Sequence, residues 1–191
     1  PGYDLIAQAR SGLMSVTGPR PCEPTKVGVA LVDVVTGLHA VYGILAAVRH
    51  RDRTGTGQHV EVNLLSSLLS AMVNQSSAYA AGGVVPGILG NEHPSIAPYA
   101  PYATADGALV LAVGNDGQFH ALVRTLGIPE AGSDPRFATN PDRVAHRDQL
   151  RATLEGALAA RPAEAWQDEL TAAGVPCGVV HDLAGAFALA E

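Results

Sequence analysis

The stretch that decides the fold is KVGVALVDVVTGLHAVYGILAAVRHRDR, from Lys26 to Arg53. A short apolar run, Val27 to Val32, is followed by one carboxylate, Asp33. Leu38, Val41, Tyr42, Leu45 and Val48 then recur at the three- and four-residue intervals of a helix face. Arg49, His50, Arg51 and Arg53 collect at the far end, and Gly55 and Gly57 stop the element. An acid in the first turn and cations in the last suit the helix dipole. From these residues alone, Asp33 reads as an N-terminal capping carboxylate ahead of any catalytic role.

Upstream, PGYDLIAQARSGLMSVTG spaces Leu5, Ile6, Ala9, Leu13 and Met14 helically, with Asp4 at the expected N-cap and Gln8 one turn on along the same face. Pro19, Pro21 and Pro24 make the next segment an irregular connector. Downstream, TGTGQHVEVNLLSSLLSAMVNQSSAYAAGG predicts a tight turn, a short strand from His59 to Val62 and one long helix ending near Gly82 and Gly83. That helix is apolar on most sides, so it is expected to be buried between layers or against another chain. Residues 82–98 hold four glycines and three prolines and read as a linker or active-site loop, with His93 inside it. From Tyr99 the texture becomes strand, Ala-Asp-Gly turn, strand, followed by helices at 117–127, 143–160 and 162–173, a short strand in VPCGVV and a last helix from His181. Hairpin, helices and returning strand predict a small α+β unit.

The composition, 47% hydrophobic and 16% charged residues, can support a sizeable core. A net charge of −6 with Lys26 as the only lysine argues against a nucleic-acid binder that works by neutralising phosphates. Cys22 and Cys177 lie far apart and read as reduced thiols, which points to the cytoplasm. No apolar run free of polar interruption is read as a membrane span, and no signal-peptide pattern is present. The seven histidines form no HxxxH or HxH pair, so no metal site is expected. Dinucleotide, P-loop and GxSxG signatures are missing from the sequence. The residues left with chemical promise are Asp33, Asp4 and the loop Gly90-Asn91-Glu92-His93-Pro94.

Five segments, in order, resemble the family III CoA-transferases, the group that includes formyl-CoA and carnitine CoA-transferases and the α-methylacyl-CoA racemases. They are PGYDLIAQARSGLMSVTG, the stretch from Val27 through Leu65, the stretch from Gly90 through Leu122, DPRFATNPDRVAHRDQL and AGVPCGVV. The resemblance covers nearly all of the chain, while the chain looks like about half of the usual polypeptide. The family's N-terminal portion and its C-terminal return to the large domain are expected to lie outside it.

The resemblance implies an α/β fold. Residues 1–81 would be the central part of a Rossmann-like large domain, 82–98 a linker, 99–180 a small α+β domain and 181–191 the start of a return helix. It also implies an interlocked homodimer. Asp33 stands in the place of the nucleophile, so catalysis displaces capping as the expected role. It would form a mixed anhydride with the donor acyl group and then a thioester with coenzyme A, which enters as a substrate; no resident cofactor is implied. A helix start would also offer N–H groups to the charge that develops there.

Asp4 matches a position that is an acid/base in the racemase branch, and Gln8 matches a residue found in some transferases. Acyl-CoA epimerisation through Asp4 is the alternative activity, and a fragment acting only by association is the second. The loop departs from the glycine run of the formyl-CoA enzymes. That points away from formate or oxalate and toward larger acids such as dicarboxylates or carnitine-like acids. Gly90, Asn91 and His93 are then candidate substrate contacts. The arginines that hold the CoA nucleotide in the family lie mostly upstream of this chain.

Overall fold

The computed structural model describes residues 2–190; the predicted spans that begin at Pro1 or end at Glu191 reach, at those residues, outside the described part. The chain divides into two compact units, 1–90 and 91–191. The division falls inside the stretch read as a linker.

The first unit is built from helices: α1 (Asp4–Arg10), α2 (Leu13–Val16), α3 (Leu31–Thr54), α4 (Leu64–Ala71) and α5 (Val73–Gly82). Tyr3, and not Asp4, is the N-cap of α1; Asp4 is its first helical residue. Helix α3 ends as expected at Gly55, whose N–H bonds to the Arg51 carbonyl. The single long helix predicted after Asn63 is two. Asn63 caps α4 by accepting the Ser66 N–H at 2.9 Å, and the chain breaks at Val73, which takes a left-handed φ of 39°. Residues 59–62 form no strand. Their alternating pattern is right for one, but a strand needs a ladder partner, and among the described residues this unit supplies none.

The core of this unit is small. Ala7, Val32 and Leu68 are buried together, with Leu13 and Leu64 packed against them. By contrast Val34, Leu38, Val41, Tyr42, Ile44 and Leu45 on α3 are exposed, although a helix apolar on most sides is normally covered. No membrane span is expected from the sequence, because no run of about 18 apolar residues is free of polar interruption; by length and mean hydropathy α3 nonetheless meets the criterion for one. Over α3 an 18-residue window reaches a mean hydropathy of 1.8, with 6% of it buried. Thr36, Gly37, His39 and Gly43 break the run without lowering its mean enough. A core helix of a large protein meets the same criterion.

A tight turn between α2 and α3 rests on one glycine. A Cβ at Gly18 would sit 2.1 Å from the Glu23 carbonyl oxygen and 3.2 Å from Ile88 Cδ1. The turn is closed by the Thr25 N–H on the Thr17 carbonyl at 2.8 Å. Gly18→Ala is expected to destabilise this unit by roughly 1–3 kcal/mol, because backbone must move to admit the methyl group. A lower urea midpoint with unchanged slope checks this; an unchanged midpoint refutes it.

The second unit is an α+β body. Its three-stranded antiparallel sheet, in the order β1-β2-β3, comprises β1 (Tyr99–Ala103), β2 (Ala108–Ala112) and β3 (Cys177–Val179). The hairpin pairs Tyr99 with Ala112 and Ala103 with Ala108, and β3 adds Val179 opposite Leu109. Helices follow as α6 (Asp116–Thr125), α7 (Asn140–Ala145), α8 (Arg147–Leu158), α9 (Ala163–Ala172) and α10 (Leu183–Ala188). The helix predicted over 143–160 is thus two, broken at His146. The first of the pair starts at a capping box of Thr139 and Asp142. Pro162 is the N-cap of α9 and lies just before its first turn. Leu109, Leu111, Phe119, Leu154, Trp166 and Leu170 belong to one continuous core. This unit therefore carries far more internal packing than the first.

Candidate active site

Helix α3 begins at Leu31, and the residue at its N-cap is Ala30, which has no side-chain group to satisfy the first-turn N–H groups. The cap comes from another helix. The Val32 N–H donates to Asp4 Oδ1 at 2.7 Å, and the Asp33 N–H points to the same oxygen at 3.4 Å. Gln8, one turn along α1 and fully buried, donates from Nε2 to Asp4 Oδ2 at 2.6 Å. Its Oε1 accepts the Val27 N–H at 2.9 Å. The segment from Val27 to Asp33 is therefore pinned at both ends by one face of α1.

Two expectations are corrected here. Asp4 does not cap its own helix; it caps α3, 28 residues away. The α3 start does not hold out free N–H groups to developing charge, because those of Val32 and Asp33 go to Asp4 and that of Leu31 to the Val29 carbonyl. The capping carboxylate is Asp4, which leaves Asp33 without that task. The Asp33 side chain is exposed in the first turn and has no hydrogen bond or ion pair among the described residues. The larger hollows of this unit lie elsewhere along α3, for instance one of about 330 Å³ lined by Ile44, Val48 and Val60.

The loop residues fall into different units. Gly90 ends the first; its φ of 62° is left-handed, and a Cβ there would meet the Pro19 carbonyl oxygen at 3.0 Å. Asn91 and His93 open the second. Asn91 is exposed. His93 Nδ1 accepts the Ser95 N–H at 3.1 Å, and its ring lies 5.1 Å from that of Tyr99.

Sequence reasoning passed over the side chains that hold this loop. Arg143, Arg147 and Arg151 stand four residues apart on α7 and α8. They donate respectively to the carbonyls of Ala97, His93 and Pro101. Asn140 adds a bond to the Ser95 carbonyl at 2.8 Å. Arg151 also pairs with Glu92 and Glu155. Burial, and next the Glu92 carboxylate, push the Tyr102 phenol far above its ordinary range, so it stays neutral. The fourfold spacing of the arginines was the available signal. Among the described residues no group of three His, Cys, Asp or Glu side chains could hold a metal ion, and both cysteines are free.

The sequence profile of CoA-transferase family III matches residues 1–191. The succinate–glutarate CoA-transferase of Agrobacterium fabrum is 43% identical over 98% of this chain and 47% of its own length. The acetyl-CoA:oxalate CoA-transferase of Acetobacter aceti is 40% identical over the whole of this chain and 49% of its own. The crystal structure of a CAIB/BAIF family protein from Brucella suis superposes with a TM-score of 0.83 at 43% identity, covering 98% of this chain and 50% of that one. The chain thus spans about half the length of the relatives it matches. The expectation that oxalate is disfavoured gains nothing from them, since a relative named for oxalate is nearly as similar as one named for glutarate. With the profile match running from the first residue to the last, the chain belongs to CoA-transferase family III.

Proposed function

We propose that the complete protein moves coenzyme A between short dicarboxylic acids through a thioester on Asp33. The observation that carries this reading is a carboxylate at the start of α3 whose backbone is fixed by Asp4 and whose own oxygens have no partner among the described residues. Relatives named for succinate, glutarate and oxalate support the class of acid, and they favour dicarboxylates over carnitine-like acids.

In the first step an Asp33 oxygen attacks the donor thioester carbonyl. The C–S bond breaks, releasing CoA thiolate and leaving a mixed anhydride. The thiolate then attacks the aspartyl carbonyl and expels the donor carboxylate, so Asp33 holds CoA as a thioester. The acceptor carboxylate attacks that carbonyl, frees the thiolate and forms a second anhydride. Attack of the thiolate on the acceptor carbonyl gives the new acyl-CoA and restores Asp33. Every intermediate remains activated, so one difficult exchange becomes several easier ones.

In this reading CoA thioester and free acid are the substrates, and Gly90, Asn91 and His93 remain candidate contacts for the acid. The first unit is part of a Rossmann-like domain whose strands lie outside this chain. Residues 59–62, which alternate like a strand but have no ladder partner among the described residues, fit that arrangement. The uncovered apolar side chains of α3 support burial in the whole protein and its homodimer. The free thiols fit a cytoplasmic location.

The experiment is trapping. With succinyl-CoA and no acceptor, hydroxylamine should convert Asp33 to its hydroxamate, located by peptide mass analysis. If no Asp33 hydroxamate forms, while the same protein makes acceptor-CoA once an acceptor is added, the covalent route is refuted.

A further inference from the structure

We propose that Asp4 is a positioning residue, which acts by capping α3 from outside and thereby fixes the trajectory of Asp33. The inference rests on the covalent reading above but is tested separately from it. Helix α3 has no cap of its own, because Ala30 occupies the N-cap and offers no side-chain acceptor. Asp4 Oδ1 takes the N–H groups of Val32 and Asp33, the residue before the nucleophile and the nucleophile itself. Asp4 Oδ2 is held by Gln8 Nε2 at 2.6 Å, and Gln8 in turn ties down Val27.

The two residues sit one turn apart on α1, and Gln8 is 0% exposed, so the pair is a fixed brace. Both oxygens of Asp4 are spent on N–H donors of this chain. A residue that shuttled an α-proton would need an oxygen free of such donors, and neither is. The Asp33 carboxylate has no such engagement among the described residues. The division of labour is thus one carboxylate for geometry and one for chemistry.

The two roles separate on substitution. Asp4→Asn retains the Oδ1 acceptor for the Val32 N–H but removes the charge and any proton transfer, and it puts an NH2 donor where Oδ2 accepted from Gln8 Nε2, so the Gln8 contact has to rearrange. Asp4→Ala removes the cap. For a positioning residue, Asp33 thioester formation should stay within about tenfold of the parent rate in Asp4→Asn and fall about 100-fold in Asp4→Ala, the scale of an ångström-sized misplacement. The donor KM should change little in either variant. Asp4→Ala combined with Gln8→Ala should be no slower than Asp4→Ala alone, since both substitutions dismantle the same brace.

Amide hydrogen exchange at Val32 supplies a readout that is independent of activity: protection should persist in Asp4→Asn and be lost in Asp4→Ala. Equal, large rate losses in Asp4→Asn and Asp4→Ala would overturn the proposal in favour of acid/base chemistry, as would α-deuterium washout lost in both. Parent-like labelling or parent-like Val32 protection in Asp4→Ala would overturn it as well. If the parent protein never labels at Asp33, the transfer reading fails, while Val32 exchange still decides whether Asp4 is the cap.

Discussion

Replacing Asp33 by Asn should abolish CoA transfer, lowering turnover by about 10⁴-fold or more, the scale on which loss of a covalent nucleophile is felt. The substitution is nearly isosteric. It removes a negative oxygen that has no hydrogen-bond or ion-pair partner among the described residues, so no internal network is cut. What is lost structurally is one charge in the first turn of α3, about 0.3–1 kcal/mol. The thermal midpoint should therefore move by only a few degrees. Activity and folding thus separate cleanly: a dead, folded protein that no longer traps hydroxylamine is the expected result. Turnover within tenfold of the parent would sink the assignment of Asp33.

Asp33→Glu refines the test. The added methylene keeps the charge but displaces the carboxylate by more than an ångström, and about 100-fold should be lost. A Glu variant as active as the parent would mean that placement does not matter, which is hard to reconcile with the bracing of Val27 to Asp33 by Asp4 and Gln8.

Periodicity and turn chemistry reached much of the local structure. Helix α3 showed itself through the spacing of Leu38 to Val48 and through Gly55. The hairpin showed itself through Ala105-Asp106-Gly107 between two alternating runs. Two failures have different causes. His59 to Val62 alternates like a strand, but whether it becomes one depends on a ladder partner, and the described residues of its unit supply none. The break between α4 and α5 falls at Val73, where no glycine or proline announces it.

The site was legible in a similar way. Nothing in the spacing around Asp33 separates a cap from a nucleophile; family resemblance singled it out. The cap itself, Asp4, is 28 residues upstream of the amide it serves. One clue was present: an alanine at the N-cap of a long helix has no side-chain acceptor, so the cap must come from elsewhere.

Arg143 is the case where an ordinary surface-type residue proves central, and its loss should cost as much stability as loss of a large core side chain. Its side chain is 1% exposed, and each arm has a partner. Nε donates to the Ala97 carbonyl at 2.8 Å, Nη1 to the Phe137 carbonyl at 3.0 Å and Nη2 to Asp116 Oδ1 at 2.7 Å. The guanidinium also lies 4.5 Å from the centre of the Phe119 ring. Arg143→Ala leaves two carbonyls of buried residues without donors and opens a void among core side chains, at a cost of about 3–5 kcal/mol. For a unit of roughly a hundred residues that lowers the midpoint by more than about 10 °C.

Arg143→Lys should recover only part of the loss, because an ammonium cannot reproduce the planar three-way fork. Arg136→Ala is the matched control. That arginine also pairs with an aspartate, Asp134, but its side chain is 52% exposed, and its removal should shift stability by no more than about 0.5 kcal/mol. Calorimetry on the three variants decides the matter. If Arg143→Ala and Arg136→Ala melt alike, then burial and the fork are not what make Arg143 matter, and the account of how the 92–101 segment is held has to be abandoned.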